Sequence, residues 1–234
     1  MSAALQNKRS PYELVIFDWD GTLLDSAGAI VRAIQAAAVD LDIPPPDDWA
    51  ARQVIGLGLA DALKQAVPHL PESAYPQMVA RYRHHYLSGD QALSLFEGVP
   101  EMMAVLRDQG KMLAVATGKS RLGLERALAH SGLGEFFIAT RCADECHSKP
   151  HPQMLHEILD ELGMQPQQAV MVGDTTHDLN MARNAGVDGV GVLYGAHPPE
   201  VLETCSPLAC FGTVEALSGW LQGQGGVFSA PCKN

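Results

Sequence analysis

Five short apolar runs punctuate the chain: Leu14–Phe17, Met112–Ala116, Phe136–Ala139, Ala169–Val172 and Val190–Leu193. Each has the length of a buried strand, although runs this short do not separate strand from helix by periodicity alone. Their flanks decide the assignment. Pro100–Gln109 opens on a proline and stops at Gly110, as a helix does. Pro152–Leu162 stops at Gly163, and its Leu155, Ile158, Leu159 and Leu162 fall at i, i+3, i+4 and i+7 on one helical face. Strand-length runs alternating with amphipathic helices predict βαβ units and a parallel sheet covered on both faces.

The alternation breaks between residues 26 and 95, where no strand pattern occurs. Ile30, Ile34, Ala37 and Leu41 line one helical face, and Tyr75, Met78, Val79 and Tyr82 line another. Pro44–Pro46 and the pair Pro68 and Pro71 break the helices. The expected organisation is an α/β core of residues 11–25 and 96–222, a helical insertion of residues 26–95, and tails at 1–10 and 223–234. The fold class is a doubly wound, Rossmann-like parallel sheet with an inserted α-helical domain.

Composition narrows the function classes. At 234 residues the chain has room for one domain and a smaller one. Hydrophobic residues make up 47% and charged residues 18%, the balance of a globular enzyme. A net charge of −11 disfavours nucleic acid and anionic membranes as partners. No apolar stretch reaches the length of a membrane span, and no secretory signal precedes the first strand. The expected location is the cytoplasm, with the five cysteines as reduced thiols.

In open α/β sheets, ligands bind at the carboxyl ends of the strands. Asp18-Trp19-Asp20-Gly21-Thr22 follows the first run, Thr117-Gly118-Lys119 the second, and Gly173-Asp174-Thr175-Thr176-His177-Asp178 the fourth. Lys149 sits between the third and fourth runs, in Ser148-Lys149-Pro150. Four carboxylates thus converge with one lysine, an arrangement that demands a cation to offset repulsion. All-oxygen ligation suits Mg²⁺, and hydroxyls and loop N–H groups suit phosphate oxygens. The chemistry indicated is phosphoryl transfer on a small-molecule phosphate ester. Cys142, Cys146, His147 and His151 are too closely spaced for a structural zinc site. His84 and His85 read as a solvated helix face, and His177 as a surface loop residue.

The ordered set Asp-x-Asp-Gly-Thr, Thr-Gly, Lys-Pro and Gly-Asp-x-x-x-Asp resembles the haloacid dehalogenase superfamily, specifically its phosphoglycolate phosphatase-like branch. The resemblance covers about residues 11–221. It implies strand order 5-4-1-2-3 and a cap domain between the first two motifs. It also implies roles. Asp18 would be the nucleophile and a Mg²⁺ ligand, forming an aspartyl-phosphate. Asp20 would be the general acid and base and would bind Mg²⁺ through its carbonyl. Thr117 and Gly118 would hold the phosphoryl group, with Trp19 beside them. Lys149 would neutralise charge, and Asp174 would ligate the metal. Asp178 would act through a metal-bound water or by orienting Lys149, and Thr22 by orienting a carboxylate or capping the turn.

Asp-Trp-Asp resembles the superfamily's phosphonatases at the tryptophan, but those carry Ala where Asp20 stands. The second Asp favours oxygen esters, whose alkoxide needs a proton. In the cap, Arg52 and the Ile55-Gly56-Leu57-Gly58 loop occupy the substrate-facing region of related caps. Arg52 suits a carboxylate or second phosphate, or simply a solvated helix face. The resulting expectation is a Mg²⁺-dependent phosphatase acting on a phosphoglycolate-like or sugar-phosphate monoester, as monomer or homodimer. A β-phosphoglucomutase-type phosphomutase is the alternative reading. A non-catalytic ligand-binding module on the same fold conflicts with the presence of both Asp18 and Asp20.

Overall fold

A computed structural model describes residues 12–223. The expected tails, 1–10 and all but the first residue of 223–234, lie outside the described residues. Six strands form one sheet: β1 (Leu14–Phe17), β2 (Met112–Thr117), β3 (Ala139–Cys142), β4 (Ala169–Gly173), β5 (Asp188–Val192) and β6 (Ala209–Phe211). Their order is β3-β2-β1-β4-β5-β6, and every pairing is parallel. This reproduces the expected 5-4-1-2-3 order and adds β6 beyond β5.

β1 is central and fully buried, and its side chains alternate between the two faces. Val15 and Phe17 join one apolar cluster with Met102, Met103 and Leu106 of α5 (Val99–Asp108) and Leu217 of α10 (Val214–Leu221). Leu14 and Ile16 join the other, with Leu155, Ile158 and Leu159 of α7 (Gln153–Leu162) and Met181 of α8 (Thr176–Ala185). Burial on both faces explains why the inner strands read as continuous apolar runs.

The third run is placed differently from expectation. Gly134–Phe136 forms a 3₁₀ turn, and β3 begins at Ala139. Phe136 and Phe137 are apolar because they pack on the core, where Phe137 meets the edge of Trp19 at 6.2 Å. β3 itself has one neighbouring strand, so its half-buried Thr140 and Arg141 need not be apolar. β6 escaped notice because it is only three residues long.

Four helices separate β1 from α5: α1 (Ala27–Val39), α2 (Asp48–Gln53), α3 (Leu59–Ala66) and α4 (Tyr75–Leu87). They share an apolar cluster that includes Ile30, Ile34 and Ala37 of α1, Leu63 of α3 and Met78 of α4. Tyr75, Val79, Tyr82 and Leu41 pack against it, as their spacing predicts. No helix among the described residues is long and apolar enough to cross a membrane. Cys142, Cys146 and Cys205 are free thiols. Cys232 lies outside the described residues.

Candidate active site

The register brings the strand-end residues to one level. Phe17 pairs with Val115 on one side and Val172 on the other, so Asp18, Thr117 and Asp174 emerge together at the carboxyl edge of the sheet. The Asp18 N–H donates to the Val172 carbonyl at 2.9 Å, continuing the ladder one step beyond the strand. Alternation carries the side chains of Val15, Phe17 and Trp19 into the same apolar cluster.

Lys149 is the buried hub. Its Nζ donates to Asp18 Oδ1 at 2.7 Å and to Asp178 Oδ1 at 2.6 Å. Burial opposes its charge, but Asp178 and Asp18 outweigh that and hold its pKa above the ordinary lysine value. Asp178 sits in the first turn of α8, where Thr175 caps the helix. The Thr175 N–H and hydroxyl donate to Asp178 Oδ2 at 3.1 and 2.6 Å. Both Asp178 oxygens are therefore engaged, one by the lysine and one by the cap.

Asp174 is held by two donors. The Thr22 hydroxyl donates to Oδ1 at 2.9 Å and the Ala196 N–H to Oδ2 at 2.7 Å. Asp18, Asp174 and Asp178 can each offer an oxygen within 4.8 Å of the others, all from buried side chains. Asp18 Oδ2 is buried and has no hydrogen-bond partner. An orphaned carboxylate oxygen inside a cluster of acids fits a hard cation with oxygen ligands. Asp18 and Asp174 have the capacity to hold it, whereas Asp178 supports Lys149 instead. Burial, and then the charges of Asp18 and Asp178, raise the Asp174 pKa well above the carboxylate range.

Thr22→Val should retain the fold, free Asp174 Oδ1, and weaken divalent-cation affinity by about 10- to 100-fold. Thermal shift against Mg²⁺ concentration would show this, and an unchanged midpoint would remove the positioning role from Thr22.

Asp20 faces a different set of partners. It accepts from the Ser26 hydroxyl at 2.7 Å, from Lys119 Nζ at 3.0 and 2.9 Å, and from the Tyr86 hydroxyl at 3.4 Å. Ser26 occupies the N-cap position of α1, yet its hydroxyl serves Asp20 rather than the helix. Lys119 also donates to the Tyr86 oxygen at 3.1 Å. Neither Lys119 nor Tyr86 received a role from the sequence. Lys119 directly follows Thr117-Gly118, and Tyr86 lies four residues beyond Tyr82 on the apolar face already identified.

A cavity of about 1190 Å³ lies between this edge and the helical insertion, lined by Asp18, Asp20, Thr117, Gly118 and Lys119. Leu57 also lines it. At Gly118 a side chain would strike the carbonyl oxygens of Gly56 and Leu57, so only glycine permits that approach. Two expectations need correction. Trp19 is fully buried in the core, on the side of β1 away from Asp18, so its side chain does not line the cavity. Arg52 is half-buried in the last turn of α2 and is likewise absent from the lining.

His177 is a half-buried residue in the first turn of α8 and not a surface loop residue, and it does not reach the carboxylates. Its Nε2 lies 2.8 Å from the Gln53 carbonyl, and its ring meets His197 edge-on at 5.5 Å. The cysteine–histidine stretch forms no metal cluster among the described residues, since Cys142 is in the core while the His147 and His151 rings pack together.

Comparison with known proteins agrees with this geometry. The family described as Haloacid dehalogenase-like hydrolase matches residues 15–192. Over 212 residues the chain is 40% identical to Probable phosphatase IndB of Dickeya dadantii (strain 3937), covering 88% of this chain and 92% of IndB. It is 37% identical over 186 residues to Tyrosine-protein kinase PtkA of Mycobacterium tuberculosis (strain ATCC 25618 / H37Rv), covering 78% of this chain and 62% of PtkA. The crystal structure of a "predicted phosphoglycolate phosphatase" from Haemophilus somnus 129pt superposes with a TM-score of 0.80 at 25% identity, covering 92% of this chain and 99% of that one. The chain belongs to the haloacid dehalogenase-like hydrolase family and is an enzyme of its phosphatase branch.

Proposed function

We propose that this protein is a Mg²⁺-dependent phosphatase that hydrolyses a small phosphate monoester through a phosphorylated Asp18. The observation that carries this reading is the pairing of two acids with opposite surroundings. Asp18 is locked to Lys149 with one oxygen unpartnered, and Asp20 is held beside the same cavity by Ser26, Lys119 and Tyr86.

A carboxylate oxygen of Asp18 attacks phosphorus, and the bond from phosphorus to the ester oxygen breaks. Asp20 gives its proton to the departing alkoxide. Water then attacks the phosphoryl group as Asp20 takes a proton from it. The bond from phosphorus to Asp18 breaks, which regenerates both acids. Thr117 and the Gly118 N–H would hold the phosphoryl oxygens, and Lys149 would hold Asp18 in position. Asp18, Asp174 and the Asp20 carbonyl would hold Mg²⁺, which supplies positive charge to the transferring phosphoryl group. The helices of residues 26–95 act as the cap that shields this step from bulk water.

The cation should show itself through pH. Without metal, burial first, and then Asp178 and Asp20 against the opposing Lys149, raises the Asp18 pKa to about 7. The folded state therefore binds this proton more tightly than the unfolded chain. The associated stability is present below the unfolded carboxylate pKa and is lost as pH rises from about 4 to about 7. A cation replaces the proton where the proton has left. Added Mg²⁺ should thus raise the melting temperature more at about pH 8 than at about pH 5. An equal shift at both values contradicts the proposed ligand set. Activity is tested by phosphate release from a panel of esters with Mg²⁺, which chelation should abolish.

A further inference from the structure

The large cavity is more specific than a generic phosphatase site requires. Resting on the phosphatase reading, we infer that the alcohol released is a neutral, ring-bearing group, not a short carboxylate such as glycolate.

Size is the first argument. A volume of about 1190 Å³ exceeds the roughly 300–1000 Å³ of pockets that hold drug-sized ligands. The insertion is seated on the core through residues 53–58. The Gly58 N–H donates to Ser148 Oγ at 2.8 Å, and His177 Nε2 lies 2.8 Å from the Gln53 carbonyl. The Gly56 and Leu57 carbonyls press against Gly118. A two-carbon alcohol would leave most of this half-open space unfilled.

The second argument is the wall chemistry. Ile30, Ile34, Val54, Leu59, Tyr82 and Tyr86 line the cavity on the side of the insertion. Such a wall rewards apolar and ring surface and penalises a buried carboxylate. Two of the cations on the lining are already paired with carboxylates. Lys119 is paired with Asp20 at 2.9 Å and Arg126 with Asp90 at 3.1 Å, while Arg83 is exposed. Arg52, the sequence's candidate for a substrate carboxylate, does not line the cavity.

The test compares kcat/KM for uridine 5′-monophosphate and 2-(4-hydroxyphenyl)ethyl phosphate with that for phosphoglycolate, using the full chain with Mg²⁺. Both ring esters should exceed phosphoglycolate by at least about tenfold. Leu59 is half-buried on the lining, and Leu59→Trp narrows the space there. It should reduce the ratio of ring ester to phosphoglycolate by at least about threefold. Leu59→Ser, a second variant in case tryptophan disturbs folding, should shift the ratio in the same direction. If phosphoglycolate matches or exceeds both ring esters, the inference is overturned and the phosphatase reading survives. If a folded Leu59→Ser protein keeps the parent's ratio, this wall does not select the alcohol and the inference is overturned. If no ester releases phosphate, the phosphatase reading falls and takes the inference with it.

Discussion

Asp18→Asn should lower phosphate release by at least about 10⁴-fold while leaving the metal-free protein as stable as the parent, or more so. The amide still offers an oxygen to Lys149 Nζ, so the 2.7 Å contact can persist. It lacks the charge and nucleophilicity needed to bond phosphorus. The stability outcome follows from crowding. Asp18, Asp174 and Asp178 are buried together around a single lysine, and the charge of Asp18 is one reason Asp174 binds its proton tightly. Removing one negative charge relieves that repulsion. Phosphate release and a melting curve in chelator measure the two effects. Turnover within tenfold of the parent would remove Asp18 from the role of nucleophile.

Lys149→Met should abolish activity and, unlike Asp18→Asn, destabilise the fold. Methionine nearly matches the lysine stem in length, so the loss is chiefly one of charge. The Lys149 side chain is fully buried, and it is the only ion-pair partner of Asp18 and Asp178 among the described residues. Breaking a buried pair by removing one member costs about 3–5 kcal/mol, because the remaining charges stay unpaired. Denaturant unfolding near neutral pH should register that loss. The deficit should shrink in acid, where protonation of Asp18 removes a stranded charge. A deficit independent of pH would point to packing and not to charge as the contribution of Lys149. The opposite stability signs of the two substitutions separate nucleophile from counter-ion.

The parts of the molecule that were legible in the sequence are those set by local pattern. Apolar runs located β1, β2, β4 and β5, because strands buried on both faces must be apolar along their length. The residues directly after those runs proved to lie at one sheet edge, because parallel register carries strand ends to a common level. The illegible parts depend on contacts between distant segments. Lys119 and Tyr86 reach Asp20 across 99 and 66 residues, and nothing in local spacing reports such a meeting. Asp90 lies in a 3₁₀ turn after α4 and carries no motif, so its unpartnered oxygen emerges only from the folded chain.

Trp19 shows the limit of reading a motif as a unit. Two-residue alternation sends it to the opposite face from Asp18, into the core with Phe17. Phe136 and Phe137 show the converse error. An apolar pair marks burial, which a loop packed on the core satisfies as well as a strand does. Arg52 lies on the insertion without lining the cavity, since residence on the insertion does not place a side chain on its cavity-facing side.

The central claim is that Asp18 carries the phosphoryl group, and direct observation of that bond tests it best. An Asp20→Asn protein given a radiolabelled aryl phosphate and Mg²⁺ can form the intermediate, because an aryl leaving group needs no proton. It resolves the intermediate slowly, because water lacks its base. Acid quenching followed by proteolysis should find the label on the peptide containing Asp18, and Asp18→Asn should abolish it. Phosphate release by the parent enzyme, with no label on Asp18 at any quench time, would contradict the account.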